Sequence, residues 1–489
     1  MTSNVLLMSS VPRRAVDPEF GASNEAKPER LLAGFPWVSA IVLYTVSWGW
    51  SLLRPNTFYW DHWALYFEKP LNNGIKTLDV MGRAPWGGFI EFLLLNLGVW
   101  AVTLATFFVF MACSLFVYLI LRQGLIFEDA NVRLIVLLFL IVPVNHARIA
   151  VDIFDYTSSY FLFFLGWFVL VRYKSIKGFV VACVILFLSF KTHSFLFFVL
   201  LPFLHFAWLN KTDLLDFKKL SPRHLQIAVI ALMPVAYLVA RQAFWPPAES
   251  WKNYQQPTSA GLLTGLWPVL IGLLGFLIIG FRHTRKKQTH FGLVLFTCGF
   301  SITALALFPY FAAELYVGYA GRPAYVTVFE FRADWRSRHQ LLMPLGLALS
   351  VVGLNELLKW KGKNIVVSAV LIISVALNMF WGSQYFLQSH KQEQLVELFK
   401  STKGNLVVAS VGDSTLRFNG RENDFRSYEL DGFMTLAGIP TERPGCEALP
   451  NGSVLNLKSD TPYLKALATR DLGLYFEVMP CSEVLAQNG

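Results

Sequence analysis

The sequence predicts an α-helical polytopic membrane protein, about eleven crossings followed by a small α/β domain at the C-terminus, and three observations carry that prediction. Only 15% of the 489 residues are charged and 55% are hydrophobic, where an ordinary soluble domain has about 25% charged residues. The apolar residues fall in uninterrupted runs close to the roughly 20 residues that one bilayer crossing takes, separated by short connectors rich in Lys and Arg. Beyond Gly382 the composition turns to that of a soluble polypeptide.

Residues 1–32 mix Arg13, Arg14, Lys27 and Arg30 with Asp17, Glu19, Glu25 and Glu29 and read as a cytoplasmic segment. No small-residue cleavage site follows the first apolar run, so it reads as a retained span and not a signal peptide. Predicted crossings occupy residues 33–53, 98–121, 132–146, 157–172, 178–191, 193–209, 225–242, 262–281, 291–311, 340–358 and 364–382. The membrane domain is then 33–382, with outer loops at 54–97, 147–156, 243–261 and 312–339. With the N-terminus inside, every inner connector is basic: Arg122 and Arg133; Arg172, Lys174 and Lys177; Lys211, Lys218, Lys219 and Arg223; Arg282, Arg285, Lys286 and Lys287; Lys359, Lys361 and Lys363. That bias supports the orientation. It also accounts for the net charge of +10 without nucleic acid. The expected setting is a bacterial-type inner membrane with the C-terminal domain in the periplasm.

Residues 178–209 allow either one long helix or two short ones. A single crossing would bury Lys191 in lipid, which is costly, so two helices meeting at Lys191-Thr192-His193-Ser194 near the outer face are expected. The stretch from Pro85 to Leu121 is too long for one crossing, and its first part, with Gly87, Gly88, Glu91 and Asn96, fits a helix lying at the interface. In the tail, residues 383–489, Leu406 to Ser410 reads as a strand, Gly412-Asp413-Ser414 as a turn, and Asn423 to Leu430 as polar and irregular. Cys446 and Cys481 are the two cysteines on the oxidising side and are candidates for a disulfide, whereas Cys113, Cys183 and Cys298 fall in apolar spans.

Three outer loops gather polar and ionisable residues where helices leave the membrane. In the first, Tyr59-Trp60-Asp61-His62-Trp63 places a carboxylate among aromatics suited to the interface or to stacking on a sugar ring, and Asp61 there is a candidate general base. In the second, Asn145 to Tyr156, Asp152 and Asp155 lie three residues apart, on one face of a helix. They suit a divalent metal ion, a sugar hydroxyl or simple helix capping; no cofactor is demanded. Arg148 belongs to the same loop. In the third, Phe331 to His339, the three arginines Arg332, Arg336 and Arg338 run against the usual charge bias, with His339 beside them, and arginine forks match lipid phosphate oxygens. Lys191 and His193 are candidates to join that cationic side. No phosphate-binding glycine loop, zinc-type Cys/His spacing or nucleophile elbow is present.

The layout resembles the C-type membrane glycosyltransferases, the GT-C class. The resemblance rests on Tyr59-Trp60-Asp61-His62 just after the first span, Asp152-Ile153-Phe154-Asp155 in the second loop, the Lys-containing turn Phe187 to Ser194, and the tail from Ser383. Many members carry two adjacent carboxylates in the first loop; here Asp61 is followed by His62. In size, short loops and outer tail the chain is also similar to serotype-converting O-antigen glucosyltransferases and pilin-modifying transferases. The resemblance implies transfer of a sugar from a polyprenyl-phosphate donor to a periplasmic glycan, such as the O-antigen of lipopolysaccharide, or to a protein acceptor. Asp61 would act as base, Arg336, Arg338 and Lys191 would meet the departing lipid phosphate, and direct displacement would invert the anomeric centre. Two other readings compete. One is an O-antigen polymerase or ligase built on Arg336, Arg338 and His339. The other is a lipid-linked-sugar flippase or transporter, for which ionisable groups near the midplane and inverted repeats are expected.

Overall fold

The computed structural model describes residues 32, 34–59, 63, 80–123, 128–215, 221–251, 258–284, 291–312, 335–358, 363–402, 406–408, 427–439, 451–457 and 476–488. The chain divides into Met1–Phe35 and Pro36–Gly489, and the elements below belong to the second unit.

Every predicted apolar run contains helix. α1 (Trp37–Trp48) continues into a 3-10 turn, Gly49–Leu53, and α2 (Phe89–Leu95) precedes α3 (Val99–Leu121). Then come α4 (Asp129–Ile141), α5 (Phe154–Arg172), α6 (Ile176–Ser189), α7 (Ser194–Phe198), α8 (Leu200–Leu209) and α9 (Lys211–Leu215). α10 (Pro222–Phe244), α11 (Ser259–Thr284), α12 (Phe291–Ala312), α13 (Met343–Leu357) and α14 (Lys363–Thr402) complete the helical body. Among the described residues six helical stretches are long and apolar enough to cross a membrane: Val99–Leu121, Val151–Arg172, Pro222–Phe244, Ser259–Ile278, Phe291–Pro309 and Ile365–Thr402. Shorter apolar stretches at Trp37–Leu53, Ile176–Ser189, Ser194–Leu209 and Met343–Leu357 accompany them.

The surface of the body fits lipid as its solvent. On α10, Leu225, Val229, Leu232, Val235, Leu238 and Val239 are exposed while Ile230, Met233 and Tyr237 are buried. On α11, Leu263, Leu266, Leu270, Leu274 and Leu277 repeat the pattern. Apolar stripes this long are not tolerated against water in a monomeric soluble protein. Inside, α12 and α13 approach backbone to backbone: a Cβ on Gly299 would lie 2.3 Å from Ser350 N, and one on Gly346 would lie 2.7 Å from Thr303 N. Without a hydrophobic drive between helices in lipid, such small-residue contacts supply the packing.

The stretch 178–209 is a hairpin, as its buried lysine requires. α6 rises to Ser189, Phe190–His193 turns, and α7 and α8 descend. The turn end is fixed by Lys191 on Asp155. The opposite end is fixed by His205, which accepts a hydrogen bond from Trp167 Nε1 at 3.1 Å and lies 3.0 Å from the Gln123 carbonyl oxygen. Pro202 and the break at Val199 do not stop the descent.

Two expectations for the tail differ from what is observed. The predicted boundary after Gly382 falls inside α14, which runs unbroken to Thr402. Gly382 marks a close approach and not a break, since a Cβ there would sit 2.4 Å from Trp50 Nε1. Residues 427–430, expected to be irregular, begin helix α15 (Ser427–Ala437). Leu430, Phe433 and Met434 form its apolar stripe and pack with Leu395 and Phe399 of α14 and with Phe58, Trp63, Phe92 and Phe154. Burial of that stripe overrides the polar character of the first turn. The rest of the tail contributes a three-stranded sheet in the order β1-β2-β3. β1 (Leu406–Val408) lies parallel to β2 (Ser453–Leu457), which pairs antiparallel with β3 (Phe476–Pro480) ahead of α16 (Cys481–Asn488). The strand expected from Leu406 appears as β1.

Candidate functional site

The C-terminal ends of α1, α4, α6 and α10 meet the N-terminal ends of α3, α5 and α13 at one end of the bundle. Thr103 Oγ1 donates to Pro55 O at 2.9 Å, and the His146 ring lies 5.1 Å from Trp48. The loops at this end bring together residues from three of the sequence segments singled out above.

At its centre is Asp155, in the first turn of α5, where the helix dipole favours a negative charge. Its oxygens are shared between two cations: Lys191 Nζ lies 2.8 Å from Oδ1 and Arg83 Nη1 3.1 Å from Oδ2. Lys191 also donates to Gly87 O at 2.8 Å and Ser158 Oγ at 2.6 Å. The Lys191 and Asp155 side chains are 2% and 4% exposed. The neighbouring Thr192 hydroxyl sits 2.8 Å from Ser159 Oγ, tying the turn again to α5.

Residues 80–88 of the first loop are stitched across this end. Trp86 Nε1 donates to Leu188 O at 3.0 Å, Arg241 Nε donates to Gly82 O at 2.7 Å, and Ala248 N donates to Val80 O at 2.8 Å. Gly82 has φ +65, and a Cβ on it would meet Pro247 N at 2.5 Å, so this position needs glycine on both counts. The next helix turn carries Glu91 beneath the strap, 5% exposed. Burial, reinforced by Asp155 and Asp152 and opposed by Lys191 and Arg83, raises its carboxyl well above the ordinary carboxylate range. Glu91 thus holds its proton more tightly than an ordinary carboxyl, beside Asp155, which its two cations favour as the anion.

Asp152 lies in the 3-10 turn Val151–Ile153 that leads into α5, and within electrostatic range of Glu91. Arg148 is enclosed by rings, its guanidinium carbon 3.5 Å from the Trp48 centroid and 4.0 Å from that of Phe110, with 3% exposure. Burial lowers its pKa to about 10, which leaves it a cation at neutral pH. Rings supply the charge stabilisation that a carboxylate gives elsewhere.

The third loop joins the second. Ala147 N donates to Ser337 Oγ at 2.8 Å and Asn145 N to Gln340 Oε1 at 2.8 Å, with Asn145 in the left-handed region at φ 57. Arg338 and His339 are both buried, and the His339 ring meets Tyr156 edge-on at 5.6 Å. Burial first, then Arg338 and Arg83, holds the His339 imidazole well below its usual range, hence neutral. Arg336 lies in the same 3-10 helix, Trp335–His339; its side chain is outside the described residues.

In the first loop, Asp61 and Trp60 lie outside the described residues, as does Cys446. The positions that bracket Asp61 are held firmly. Tyr59 OH donates to Tyr385 O at 3.4 Å with the rings edge-on, and the Trp63 ring packs 4.7 Å from Phe58 and 4.4 Å from Phe433. Both rings are buried, so they pack the loop against α14 and α15. Gln392 Nε2 donates to Phe58 O at 2.8 Å, and Thr57 and Ser389 share a 2.6 Å hydroxyl contact. Cys481 is held in a disulfide, while Cys113, Cys183 and Cys298 are free.

The geometry thus brings Asp152, Asp155, Lys191 and His193 together, with Arg338 and His339 alongside Tyr156 of α5. It adds three residues that the sequence did not single out for chemistry: Arg83, Glu91 and Arg241. Arg241 was detectable by the reasoning applied to Arg336 and Arg338, being a cation at the supposedly cation-poor end of a span. Among the described residues no group of three His, Cys, Asp or Glu side chains is placed to hold a metal ion.

These features define the class of protein, a helical membrane protein with a buried, charge-paired polar centre at one end of its bundle. No protein-family model matches the sequence, and no curated protein matches it.

Proposed function

We propose that the chain is a membrane glycosyltransferase that moves a sugar from a polyprenyl-phosphate donor to an acceptor on the outer face of a bacterial-type inner membrane. The observation that carries the reading is the convergence of the first-loop strap, the second-loop carboxylates and the Lys191 turn on Asp155. That combination of fixed acid and fixed cations at the membrane interface suits a lipid-borne, anionic donor. Eleven crossings, with the N-terminus inside, put the polar centre and the C-terminal domain on the side away from the basic connectors; Arg122, Lys174 and Arg223 lie at the opposite end. Asp61, bracketed by the anchored Tyr59 and Trp63, takes the proton of the acceptor hydroxyl as that oxygen attacks the anomeric carbon. The bond to the phosphate oxygen breaks with its electron pair on the phosphate, and the configuration inverts. Asp152 and Asp155 orient sugar hydroxyls or stabilise the oxocarbenium-like transition state, with the Asp155 carboxylate kept ionised by its two cations.

The test is transfer from a defined donor. Purified protein in proteoliposomes is given polyprenyl-phosphate hexose labelled in the sugar, together with host outer-surface glycan or pilin as acceptor. Label appearing in the acceptor, with free polyprenyl phosphate released, supports the reading. Donor that stays intact with every hexose and acceptor tried, while the protein remains folded, overturns it.

A further inference from the structure

Arg148 has no part in the proposed reaction. Its side chain leaves the second loop and passes between helices: the guanidinium carbon lies 3.5 Å from the centroid of Trp48 of α1 and 4.0 Å from that of Phe110, at the middle of α3. The arginine is buried. A cation enclosed at that depth of a membrane bundle is a candidate site in its own right.

What it lacks is an acceptor. Among the described residues the guanidinium makes no ion pair and no hydrogen bond, and Nη2 is buried without a partner. The groups in electrostatic range are Tyr44, Tyr160 and Cys113, none of them an anion at neutral pH by its ordinary chemistry. His146, two residues earlier, is spent on Asn378 Oδ1 at 3.1 Å. Other orphans lie close by: Trp48 Nε1, Ser47 Oγ and the Tyr160 hydroxyl are buried with no hydrogen-bond partner. The Tyr160 ring is 5.3 Å from that of Phe110.

The bland alternative is that the rings suffice. They meet the cation through its faces, as cation–π attraction requires, but they accept nothing from its N–H edge. An unmet hydrogen bond on a buried charge costs more than one on a neutral group. A water would accept two of these protons and bring two of its own, for which the rings offer no acceptor. A monovalent anion only accepts, and aromatic ring edges, being positive, attract it.

The enclosure sets the size of that anion. Rings from α1, α3 and α5 surround the guanidinium, which suits a single small ion and not a sugar ring or an acyl chain. The rings of Tyr44 and Phe107 close the α1–α3 seam at 4.5 Å, and at its outer end a cleft lined by Trp50, Arg54, Thr103 and Ile149 gives an anion a polar approach as far as the residue after Arg148.

We propose that Arg148, with Trp48 Nε1 and the Tyr160 hydroxyl as further donors, holds one small inorganic anion, chloride in the cell. The ion pins the turn His146–Ile149 to α1 and α3. The site stands apart from the transferase reading, and neither depends on the other.

The experiment measures halide binding without turnover. The full chain, purified in detergent, is melted in sodium gluconate, chloride or bromide at one ionic strength, and radiolabelled chloride is followed by equilibrium dialysis. Wild type should take up label saturably and melt about 2 °C or more higher in either halide than in gluconate. Arg148→Met should lose both the label and the halide shift. In gluconate it should melt no lower than wild type, because it removes a buried charge that there has no counter-ion. Trp48→Phe keeps a ring and drops the Nε1 donor, and should weaken chloride about tenfold. No label on wild type, or one melting temperature in all three salts, overturns the site. So does a halide shift that Arg148→Met shares, since that would be an effect of salt on the fold at large. Should Arg148→Met not yield folded protein, Trp48→Phe decides, and chloride affinity equal to wild type overturns the site.

Discussion

Lys191 Nζ lies 2.8 Å from Asp155 Oδ1 in a setting nearly sealed from solvent, and Arg83 takes the other oxygen at 3.1 Å. Two cations on one buried carboxylate make the partners unequal. Asp155→Asn takes the shared carboxylate from both cations, and breaking a buried pair this way costs about 3–5 kcal/mol. Lys191→Met leaves Asp155 still paired with Arg83 and should cost less. Thermal unfolding of both variants in detergent checks the order; an equal or larger loss for Lys191→Met would show that Arg83 does not hold the carboxylate.

Glu91 gives the fold a pH dependence of known sign. Its carboxyl is raised in the folded state by burial and by Asp155 and Asp152, so the folded protein binds a proton more tightly than the unfolded chain. Its contribution is fully present below the unfolded carboxylate value and is lost as pH rises through the folded one. Glu91→Gln keeps the shape and has no proton to lose. Melting curves should therefore coincide near pH 4, with the variant the more stable of the two at alkaline pH. A variant that melts lower than wild type at every pH would mean that Glu91 works as an anion.

Gly382 tests the packing of α14 on the end of α1. In a helix interior Gly→Ala normally gains up to about 1 kcal/mol. Here the new methyl would meet the Trp50 indole at 2.4 Å, and overpacking costs about 1–3 kcal/mol. Gly382→Ala should thus be destabilising, and Trp50→Leu added to it should recover part of the loss. Stabilisation by the single change would contradict the close approach.

Phe433 holds α15 on the first loop. It is fully buried and its ring lies 4.4 Å from that of Trp63. Phe433→Ala removes about 3–5 kcal/mol of packing, enough to loosen α15. Limited proteolysis should then cut near residues 427–439 sooner than in wild type, while the helical body stays intact. An unchanged cleavage pattern would place the anchor elsewhere.

The helical body was legible because lipid as solvent leaves a strong mark: runs of apolar residues broken by basic connectors. Lys191 was legible for the same reason, since a lysine between two apolar runs has to sit at an end, and its hairpin follows. Less legible were features that depend on contacts between distant segments. Gly382 looked like a boundary because its partner, Trp50, is remote in sequence. Ser427–Leu430 looked irregular because its helix is set by Phe58, Trp63 and Phe399. Arg83 carries no local motif and becomes notable only through its contact with Asp155, remote in sequence. Tyr59 and Trp63 showed the opposite difficulty: aromatics at an interface suggest a sugar, and here their rings are spent on packing.

Asp61 is where the proposed transfer chemistry meets its most direct test. Asp61→Asn and wild type are brought to equal membrane levels and scored for transfer of labelled sugar from polyprenyl-phosphate hexose to the host acceptor. The expected result is loss of transfer by about 100-fold or more, the scale of a removed general base, with lipid-phosphate binding retained. Transfer at the wild-type rate would contradict Asp61 as the base and direct the search to Asp152 and Glu91.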